Sequence, residues 1–342
     1  MPRDLVTGSS GLLGACVLAR LAGTGRDVRL LDVLPPPAGA LRDGVEAVQA
    51  DMRDAARVRE AARGVDTIYH LAAGQRMKPQ FASLGEDEIR VMNVAGVANV
   101  LAAARACGTR KVVVVSSSGV YGIPTTVPMT EDHPQRPLGA YGWSKIEAER
   151  LCLEFLAEGG DVTILRPMSL FGPGMTGVFV LLFDWVHRGR RVYLLGSGRN
   201  RVQMVSAWDV ADACVLAAAR PAARGAILNL GSARVPTVRE QVDALIAHAG
   251  SRSRVVGVPA GFLRAAARVL DLVKLSPIVP EHYLLADSTF VLDIARARAV
   301  LGWTPRFDNV QLMCDAYDWY VAHVDEAAPA RGPILRLLDA LP

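Results

Sequence analysis

The stretch VTGSSGLLG, residues Val6–Gly14, decides the fold of this chain because it places three glycines between an apolar run and a helical pattern. Gly8, Gly11 and Gly14 follow the spacing Gly-x-x-Gly-x-x-Gly. Glycines in such a turn permit a tight bend and a close approach of a pyrophosphate, whose charge is stabilised by the N-terminus of the next helix. The stretch therefore predicts the strand, turn and helix that open a dinucleotide-binding domain.

An acidic residue follows at the end of the next predicted strand. Asp32 closes the run VRLLD, and Val33 comes directly after it. A carboxylate at this position can accept hydrogen bonds from the ribose hydroxyls of an adenosine, and it would repel a 2′-phosphate. Because no arginine follows to receive that phosphate, the sequence favours NAD over NADP as the cofactor. The alternative role for Asp32 is that of an ordinary residue in a turn that ends a strand.

The first half of the chain alternates β-branched runs with helical patterns. Strands are predicted over residues 4–7, 28–31, 45–49, 67–70, 111–115 and 162–165, and helices over 12–22, 55–62, 88–106 and 141–157. The run KVVVV is apolar at every position after its lysine, which is typical of a strand buried on both faces of a parallel sheet. Strands that alternate with helices imply βαβ units and a doubly wound α/β fold.

A change in pattern after about Arg166 indicates a second domain. Glycine and proline breaks such as FGPG, GSGRN and LSPIVP become frequent there, and the regular alternation ends. We expect a dinucleotide-binding domain over residues 1–170, to which a segment at about 202–232 returns. The remainder, residues 171–342, is expected to form a smaller α/β domain that binds the substrate.

Charge and cysteine usage exclude several kinds of partner. The formal net charge is +4 and evenly spread, so no nucleic-acid surface is expected. The five cysteines are scattered and never in Cys-x-x-Cys spacing, which argues against disulfides and a metal site and for a reducing compartment. No apolar run is long enough to span a bilayer, and the N-terminus lacks the pattern of a signal peptide. We therefore expect a cytoplasmic enzyme without a membrane span.

The stretch AYGWSK, residues 140–145, places a tyrosine and a lysine four residues apart in a predicted helix. Positions i and i+4 lie on one helix face, so the two side chains can meet. A lysine cation beside a phenol favours the phenolate and lowers the tyrosine pKa. Tyr141 and Lys145 would then suit a general acid/base that moves a proton on and off a hydroxyl. Taken alone, the pair could equally lie solvated on an exposed helix.

The glycine turn and this Tyr–Lys pair belong to a longer series of motifs. Six more follow in order: ADMRD (50–54), YHLAA (69–73), NVAGVANVL (93–101), VSSSGVYG (115–122), LRPMSLFGPG (165–174) and LGWTP (301–305). The series resembles the extended short-chain dehydrogenases/reductases, specifically the NAD-dependent epimerase/dehydratase family, over nearly the whole length. The resemblance implies a Rossmann sheet, NAD as cofactor, and hydride transfer at a carbinol carbon.

The resemblance also implies site residues. The expected catalytic residues are Ser117, Tyr141 and Lys145, and Ser117 falls where the family keeps its catalytic serine or threonine. Besides Tyr141 and Lys145, the expected cofactor-binding residues are Gly8, Gly11, Leu12, Leu13, Gly14, Asp32, Asp51, Met52, Leu71, Ala72, Ala73, Pro167 and Ser169. Expected substrate contacts are Ser117, Ser118, Ser169, Arg76 and Arg201. Asn93 is expected to pack helices and His70 to lie in the core.

The family resemblance leaves the reaction open. The first hypothesis is an epimerase of a nucleotide sugar, in which hydride leaves a sugar carbon and returns to its other face. The second is a net dehydrogenase or ketoreductase resembling the 3β-hydroxysteroid dehydrogenase and dihydroflavonol reductase branches. Two departures favour the second hypothesis. Ser169 replaces the family's frequent asparagine, and no arginine appears in PEHYLLADS (280–288), where many sugar-nucleotide enzymes carry one. A third hypothesis is an NAD-sensing scaffold without catalysis.

Two residues of VSSSGVYG (115–122), here called the serine run, differ from those that other enzymes of the family use for elimination. Ser118 and Gly119 occupy the positions where sugar dehydratases carry an Asp-Glu pair, so elimination of water is not expected. The substrate is therefore expected to be a small molecule, with a nucleotide sugar as the first choice. The resemblance also implies a homodimer.

Overall fold

A computed structural model describes residues 2–74, 84–172, 178–258 and 288–324 of the chain. It divides into two compact units. Unit 1 comprises Met1–Met168, Ala207–Gly231 and Leu292–Pro305, and unit 2 comprises Ser169–Ser206, Ser232–Val291 and Arg306–Pro342.

The described residues form strands and helices with the following bounds. The strands are β1 (Arg3–Thr7), β2 (Asp27–Asp32), β3 (Val45–Gln49), β4 (Thr67–His70), β5 (Lys111–Val115), β6 (Val162–Pro167), β7 (Ser169–Phe171), β8 (Val192–Leu195), β9 (Met204–Ser206), β10 (Ile227–Leu230) and β11 (Val255–Val258). The helices are α1 (Leu12–Leu21), α2 (Ala55–Ala61), α3 (Glu86–Cys107), α4 (Ala140–Ala157), α5 (Val178–His187), α6 (Ala207–Ala219), α7 (Val238–His248), α8 (Ala295–Leu301) and α9 (Asn309–Ala322).

Unit 1 is built on a seven-stranded parallel sheet with the order β10-β6-β5-β4-β1-β2-β3. The interior strands β5 and β6 are buried at every position, as the apolar run KVVVV predicts for β5. The strand order reverses between β1 and β4, which is where a doubly wound sheet opens a crevice at the carboxyl ends of its strands. The predicted doubly wound Rossmann sheet is thus confirmed.

Helices cover both faces of this sheet. α2, α3 and α4 pack side by side and bury one apolar face, while α1 and α6 pack together on the other. The ends of these helices follow local chemistry. The Asp54 side chain accepts hydrogen bonds from the backbone N–H groups of Ala56 and Arg57 and so caps α2. α3 ends at Gly108, whose φ of 68° is in the left-handed region.

Unit 2 is a mixed α/β unit with short strands. β8 pairs with β11 and β7 pairs with β9, each as a two-stranded parallel sheet. Its apolar core joins side chains of α5, α7 and α9, among them Phe183, Leu245 and Tyr320. α7 begins with a capping box in which Thr237 and Glu240 satisfy each other's backbone N–H groups. In the described parts of the chain, no helix is both long and apolar enough to cross a membrane.

The first test concerns the packing of α1 against the glycine turn. A methyl group at Gly14 would lie 2.5 Å from the carbonyl oxygen of Gly8 and 2.6 Å from Ser9 Cα, both backbone atoms. We therefore expect Gly14→Ala to lower the free energy of unfolding by about 1–3 kcal/mol through overpacking. Urea unfolding of the protein without cofactor, followed by circular dichroism, measures it.

The matched control for this test is Gly11→Ala, where the added methyl meets Gly8 O at 3.4 Å, an ordinary contact. Equal unfolding free energies for Gly14→Ala and the unchanged protein would show that α1 is free to shift away from the turn.

Candidate active site

The carboxyl ends of β1 and β4 meet in unit 1, and the glycine turn fills the gap between them. Gly8 has a φ of 72°, and its N–H donates to the carbonyl oxygen of Leu31 at 2.9 Å. A side chain here would place its Cβ 2.7 Å from the backbone N of Ala72. Gly8 is therefore required both by its backbone conformation and by the close approach of a neighbouring chain segment.

The first turn of α1 follows directly and points its amides out of the sheet edge. Among the described residues, no side chain caps this helix at Gly11. The N–H groups of Leu12 and Leu13 have no acceptor within the helix, as at every helix start. Together with the open space beside Gly11, where an added Cβ would meet only Gly8 O at 3.4 Å, this arrangement fits the pyrophosphate of a dinucleotide.

Asp32 ends β2 beside this turn. Its Oδ2 accepts a hydrogen bond from the N–H of Ser10 at 3.0 Å, and its Oδ1 accepts one from the N–H of Leu34 at 3.1 Å. Backbone groups on both sides thus orient the carboxylate, which retains lone pairs for ribose hydroxyls.

Asp51 and Met52 follow β3, the edge strand of the sheet. The Arg53 guanidinium, 2.6 Å from Asp51 Oδ2, lowers the pKa of that carboxyl below its usual range. Met52 is buried, and its carbonyl oxygen accepts a hydrogen bond from Asn99 on α3 at 2.8 Å. The structure therefore gives Asp51 an ionic partner within its own loop, which the sequence motif did not predict.

The segment Leu71–Gly74 continues β4 along the same sheet edge. Leu71 N–H donates to the carbonyl oxygen of Thr7 at 3.2 Å. Asn93 on α3 fixes the end of the segment, because its Oδ1 accepts from Gly74 N–H at 2.7 Å and its Nδ2 donates to Ser144 Oγ on α4 at 3.0 Å. Asn93 therefore joins the segment to α4, a role beyond the helix packing that we expected.

His70 lies in the core beneath this segment, as expected. Its Nδ1 and the Thr7 hydroxyl are 2.8 Å apart. Burial lowers the pKa of His70 to about 3, with a smaller contribution from the Lys145 charge. The imidazole is therefore neutral in the folded protein at physiological pH.

α4 presents Tyr141 and Lys145 on one face at its N-terminal end. Lys145 is buried, its Nζ donates to the carbonyl oxygen of Val115 at 3.0 Å, and this nitrogen lies 5.7 Å from the centre of the Tyr141 ring. Burial lowers the pKa of Lys145 to about 8. The lysine is thus directed towards the tyrosine and the end of β5.

Ser117 follows β5 and begins a short 3₁₀ turn, in which its Oγ accepts a hydrogen bond from Gly119 N–H at 3.1 Å. A methyl group placed on Gly119 would lie 3.3 Å from Ser117 Oγ and 3.8 Å from Tyr141 Cδ1. The serine hydroxyl and the tyrosine ring therefore border the same small space. The neighbouring Ser118, expected to contact substrate, is buried.

The remaining predicted residues lie in other parts of the chain. Pro167 ends β6 in unit 1 and is buried, while Ser169 begins β7 in unit 2 and is exposed. Arg201, also in unit 2, donates from Nη1 to the carbonyl oxygen of Val235 at 2.7 Å and lines an open cavity with Arg234, Glu240 and Asp308. Arg76 lies outside the described residues. In the described part of the chain, no group of three His, Cys, Asp or Glu side chains could hold a metal ion.

A buried carboxylate one turn beyond Lys145 was not predicted. Glu149 occupies the i+4 position after the lysine and pairs with Arg166 at 2.6 Å. The signal was present in the sequence as a third polar residue on one helix face, but its partner is a residue of another strand.

Comparisons with known proteins agree with this geometry. The model of the NAD-dependent epimerase/dehydratase family matches residues 5–231. A UDP-glucose 4-epimerase of Mycolicibacterium smegmatis is 32% identical over 318 residues, which cover 89% of this chain and 94% of the relative. A 3β-hydroxysteroid dehydrogenase/Δ5→4-isomerase of Mycobacterium tuberculosis is 29% identical over 343 residues, covering 94% and 90%.

A solved structure extends the agreement to the fold. MoeE5, in complex with UDP-glucose and NAD, superposes with a TM-score of 0.72 at 28% identity and covers 94% of this chain and 99% of its own. The glycine turn, Asp32 and the helix of Tyr141 and Lys145 thus all lie within the residues that match the family model. The protein belongs to the NAD-dependent epimerase/dehydratase family and is an NAD-dependent enzyme.

Proposed function

We propose that this enzyme is an epimerase of a nucleotide sugar. The observation that carries the proposal is the meeting of Ser117, Tyr141 and Lys145 in unit 1, which also holds the glycine turn. Support comes from the relative named UDP-glucose 4-epimerase and from MoeE5, whose structure contains UDP-glucose and NAD.

In this proposal the proton chemistry is divided among Ser117, Tyr141 and Lys145, here called the triad. Bound NAD supplies a carbon that takes up a hydride and returns it. As the hydride leaves the sugar carbon, the Tyr141 phenolate accepts the proton of its hydroxyl, and on return Tyr141 gives the proton back. Lys145 stabilises the phenolate by its charge, while Ser117 donates a hydrogen bond to the reacting oxygen.

The residues beside Ser117 do not support elimination. Removal of a ring proton and expulsion of a hydroxyl as water need an acid and a base. Ser118 carries a hydroxyl, which is too weak an acid for the task, and Gly119 has no side chain. Return of the hydride, or release of the ketone, then remains after the first oxidation.

Net oxidation or reduction of a secondary alcohol is the second candidate. The relative named 3β-hydroxysteroid dehydrogenase/Δ5→4-isomerase favours it. Two features of the sequence do so as well: Ser169 stands where the family frequently has an asparagine, and residues 280–288 contain no arginine. The two candidates differ in one measurable quantity, because a dehydrogenase accumulates reduced nicotinamide and an epimerase does not.

Unit 2 is proposed to bind the substrate. Arg201 is its proposed contact for a diphosphate, and Ser169 is a further one. The other predicted substrate contacts, Ser117, Ser118 and Arg76, stay predictions. Arg234 pairs with Asp308 at 3.7 Å, and Glu240 lines the same cavity. A diphosphate bound at Arg201 would therefore lie near two carboxylates.

A homodimer is proposed through the paired helices α3 and α4. Three apolar side chains of these helices, Val91, Trp143 and Leu153, are 62%, 50% and 43% exposed. A second copy of the same face would remove this apolar surface from water.

The cytoplasm is proposed as the location. Cys16, Cys152 and Cys214 are buried free thiols, and burial raises the pKa of all three. They are therefore protonated and have no disulfide partner among the described residues, which suits a reducing compartment.

The deciding assay for the reaction incubates the enzyme with NAD and either nucleotide sugars or secondary alcohols. We expect a product of unchanged mass without net NADH. Tyr141→Phe should lower kcat at least about a thousandfold, or about 4 kcal/mol of barrier, because the proton acceptor is lost. NAD should still bind to this variant.

The control for the tyrosine is Tyr317→Phe, the same change on α9. Formation of NADH in stoichiometric amount would show that the enzyme is a net dehydrogenase and not an epimerase. A product lighter by one water would contradict both proposed reactions. If kcat of Tyr141→Phe stays within about tenfold of the original value, Tyr141 is not the group that accepts the proton.

A second test concerns the choice of cofactor. We expect NAD to bind at least about tenfold more tightly than NADP, because the Asp32 carboxylate accepts from a free 2′-hydroxyl and repels a phosphate. Asp32→Ala should weaken NAD binding and reduce the ratio of the NADP to the NAD dissociation constant, as measured by calorimetric titration. Asp43→Ala, an exposed acid in the loop between β2 and β3, is the control. Tighter NADP binding by the unchanged enzyme would contradict the assignment.

A third test addresses the dimer. Val91→Asp places a charge on the proposed interface, so we expect a shift from dimer to monomer by light scattering after size exclusion. Val321→Asp, an equally drastic change of an exposed apolar residue on α9, should leave the dimer intact. A monomeric unchanged enzyme, or a Val91→Asp dimer, would show that this face is not the contact.

A further inference from the structure

A buried ion pair joins the helix of Tyr141 and Lys145 to the interior strand β6 of the sheet. Arg166 on β6 donates from Nε to Glu149 Oε1 at 2.9 Å and from Nη2 to Glu149 Oε2 at 2.6 Å. The side chains of Arg166 and Glu149 are only 3% and 5% exposed. Burying two charges carries a large desolvation cost, so apolar residues would serve stability at least as well.

The carboxylate of this pair also holds the strand end that leads to Ser117. Ser116 Oγ donates to Glu149 Oε1 at 2.5 Å, and Gln135 Nε2 donates to Oε2 at 3.0 Å. Arg166 in turn donates from Nη1 to Tyr121 Oη at 2.8 Å. Glu149 and Arg166 therefore contact both segments that carry the triad, α4 and the serine run.

The charges of Glu149 and Arg166 can change the protonation of the Tyr141–Lys145 pair, because the other titratable groups around this pair are neutral. The titratable groups that face the Tyr141–Lys145 pair are Glu149 and Cys152 on α4, His70 on β4 and, behind Glu149, Arg166 on β6. His70 is neutral, and burial raises the pKa of Cys152 to about 12, so its thiol is neutral too. The Glu149 charge opposes the effect of burial on Lys145.

We propose that Glu149 is a positioning residue of this enzyme, acting on Tyr141 and Lys145 through its charge and on Ser117 through Ser116, and that Arg166 balances that charge. The inference rests on the proposed function for its catalytic meaning. Its geometric basis, one carboxylate bonded to both Arg166 and Ser116, lies entirely within unit 1.

The charge part of the proposal predicts opposite effects of two substitutions. Glu149→Gln leaves Arg166 uncompensated, and the added positive charge makes the coupled Tyr141–Lys145 pair release a proton at lower pH. Arg166→Gln leaves the carboxylate uncompensated and moves the same release to higher pH. Each shift should be about one pH unit or more, and Glu149→Gln/Arg166→Gln should return close to the original value.

Two readouts separate this inference from the proposed reaction. The pH dependence of kcat/KM follows turnover, while the ultraviolet difference absorption of tyrosinate, with Tyr141→Phe as the blank, follows the titration without substrate. Should the epimerase assay fail, the tyrosinate titration still tests the role of Glu149. Glu147→Gln removes a carboxylate from the same helix that is 31% exposed and paired with Arg90, and it should leave both profiles unchanged.

The position part is tested by Ser116→Ala, which keeps both charges and does not depend on the folding of the charge variants. We expect kcat to fall at least fivefold with an unchanged pH midpoint, because Ser117 loses its link to α4. Full activity of Ser116→Ala would overturn the positional role. Shifts of Glu149→Gln and Arg166→Gln in the same direction, or no shift in either, would overturn the role of the charge.

Discussion

The contact between the backbone at Gly8 and the backbone at Ala72 is the constraint on which the cofactor side of this enzyme depends. The two segments end the parallel strands β1 and β4, which flank the reversal of the sheet order. Since a Cβ at Gly8 would lie 2.7 Å from Ala72 N, the strands can reach this register only with glycine in the turn. The same turn leads into the first amides of α1, and its Ser10 N–H donates to the Asp32 carboxylate. This close approach therefore positions two of the groups predicted to bind the dinucleotide.

α4 has a comparable role on the reaction side. One helix face carries Tyr141, Lys145 and Glu149, each a turn apart, and the three side chains meet different neighbours. The tyrosine borders the serine turn, the lysine binds the end of β5, and the glutamate binds β6 through Arg166. A rigid helix anchored at its buried end can hold a phenol and an ammonium in fixed relation, which general acid/base chemistry requires.

The residues that follow Ser117, close to this helix, bear on which reaction of the family the site can perform. Ser118 and Gly119, which follow Ser117, offer a hydroxyl and no side chain, so these two positions supply no acid and base for the elimination of water. Epimerisation and net oxidation use the same groups. They differ in whether the ketone turns within the site or leaves it.

The sequence by itself determined the Rossmann sheet, the choice of NAD and the Tyr–Lys pair, because each follows from local patterns: buried apolar runs, glycine spacing and helical periodicity. The catalytic, cofactor and substrate roles of the named residues stay predictions. Only the tertiary structure revealed the Asn93 bridge, the Glu149–Arg166–Ser116 network and the return of Leu292–Pro305 to unit 1. These features join residues far apart in the chain. Their partners depend on which strands become neighbours, and no local pattern contains that information.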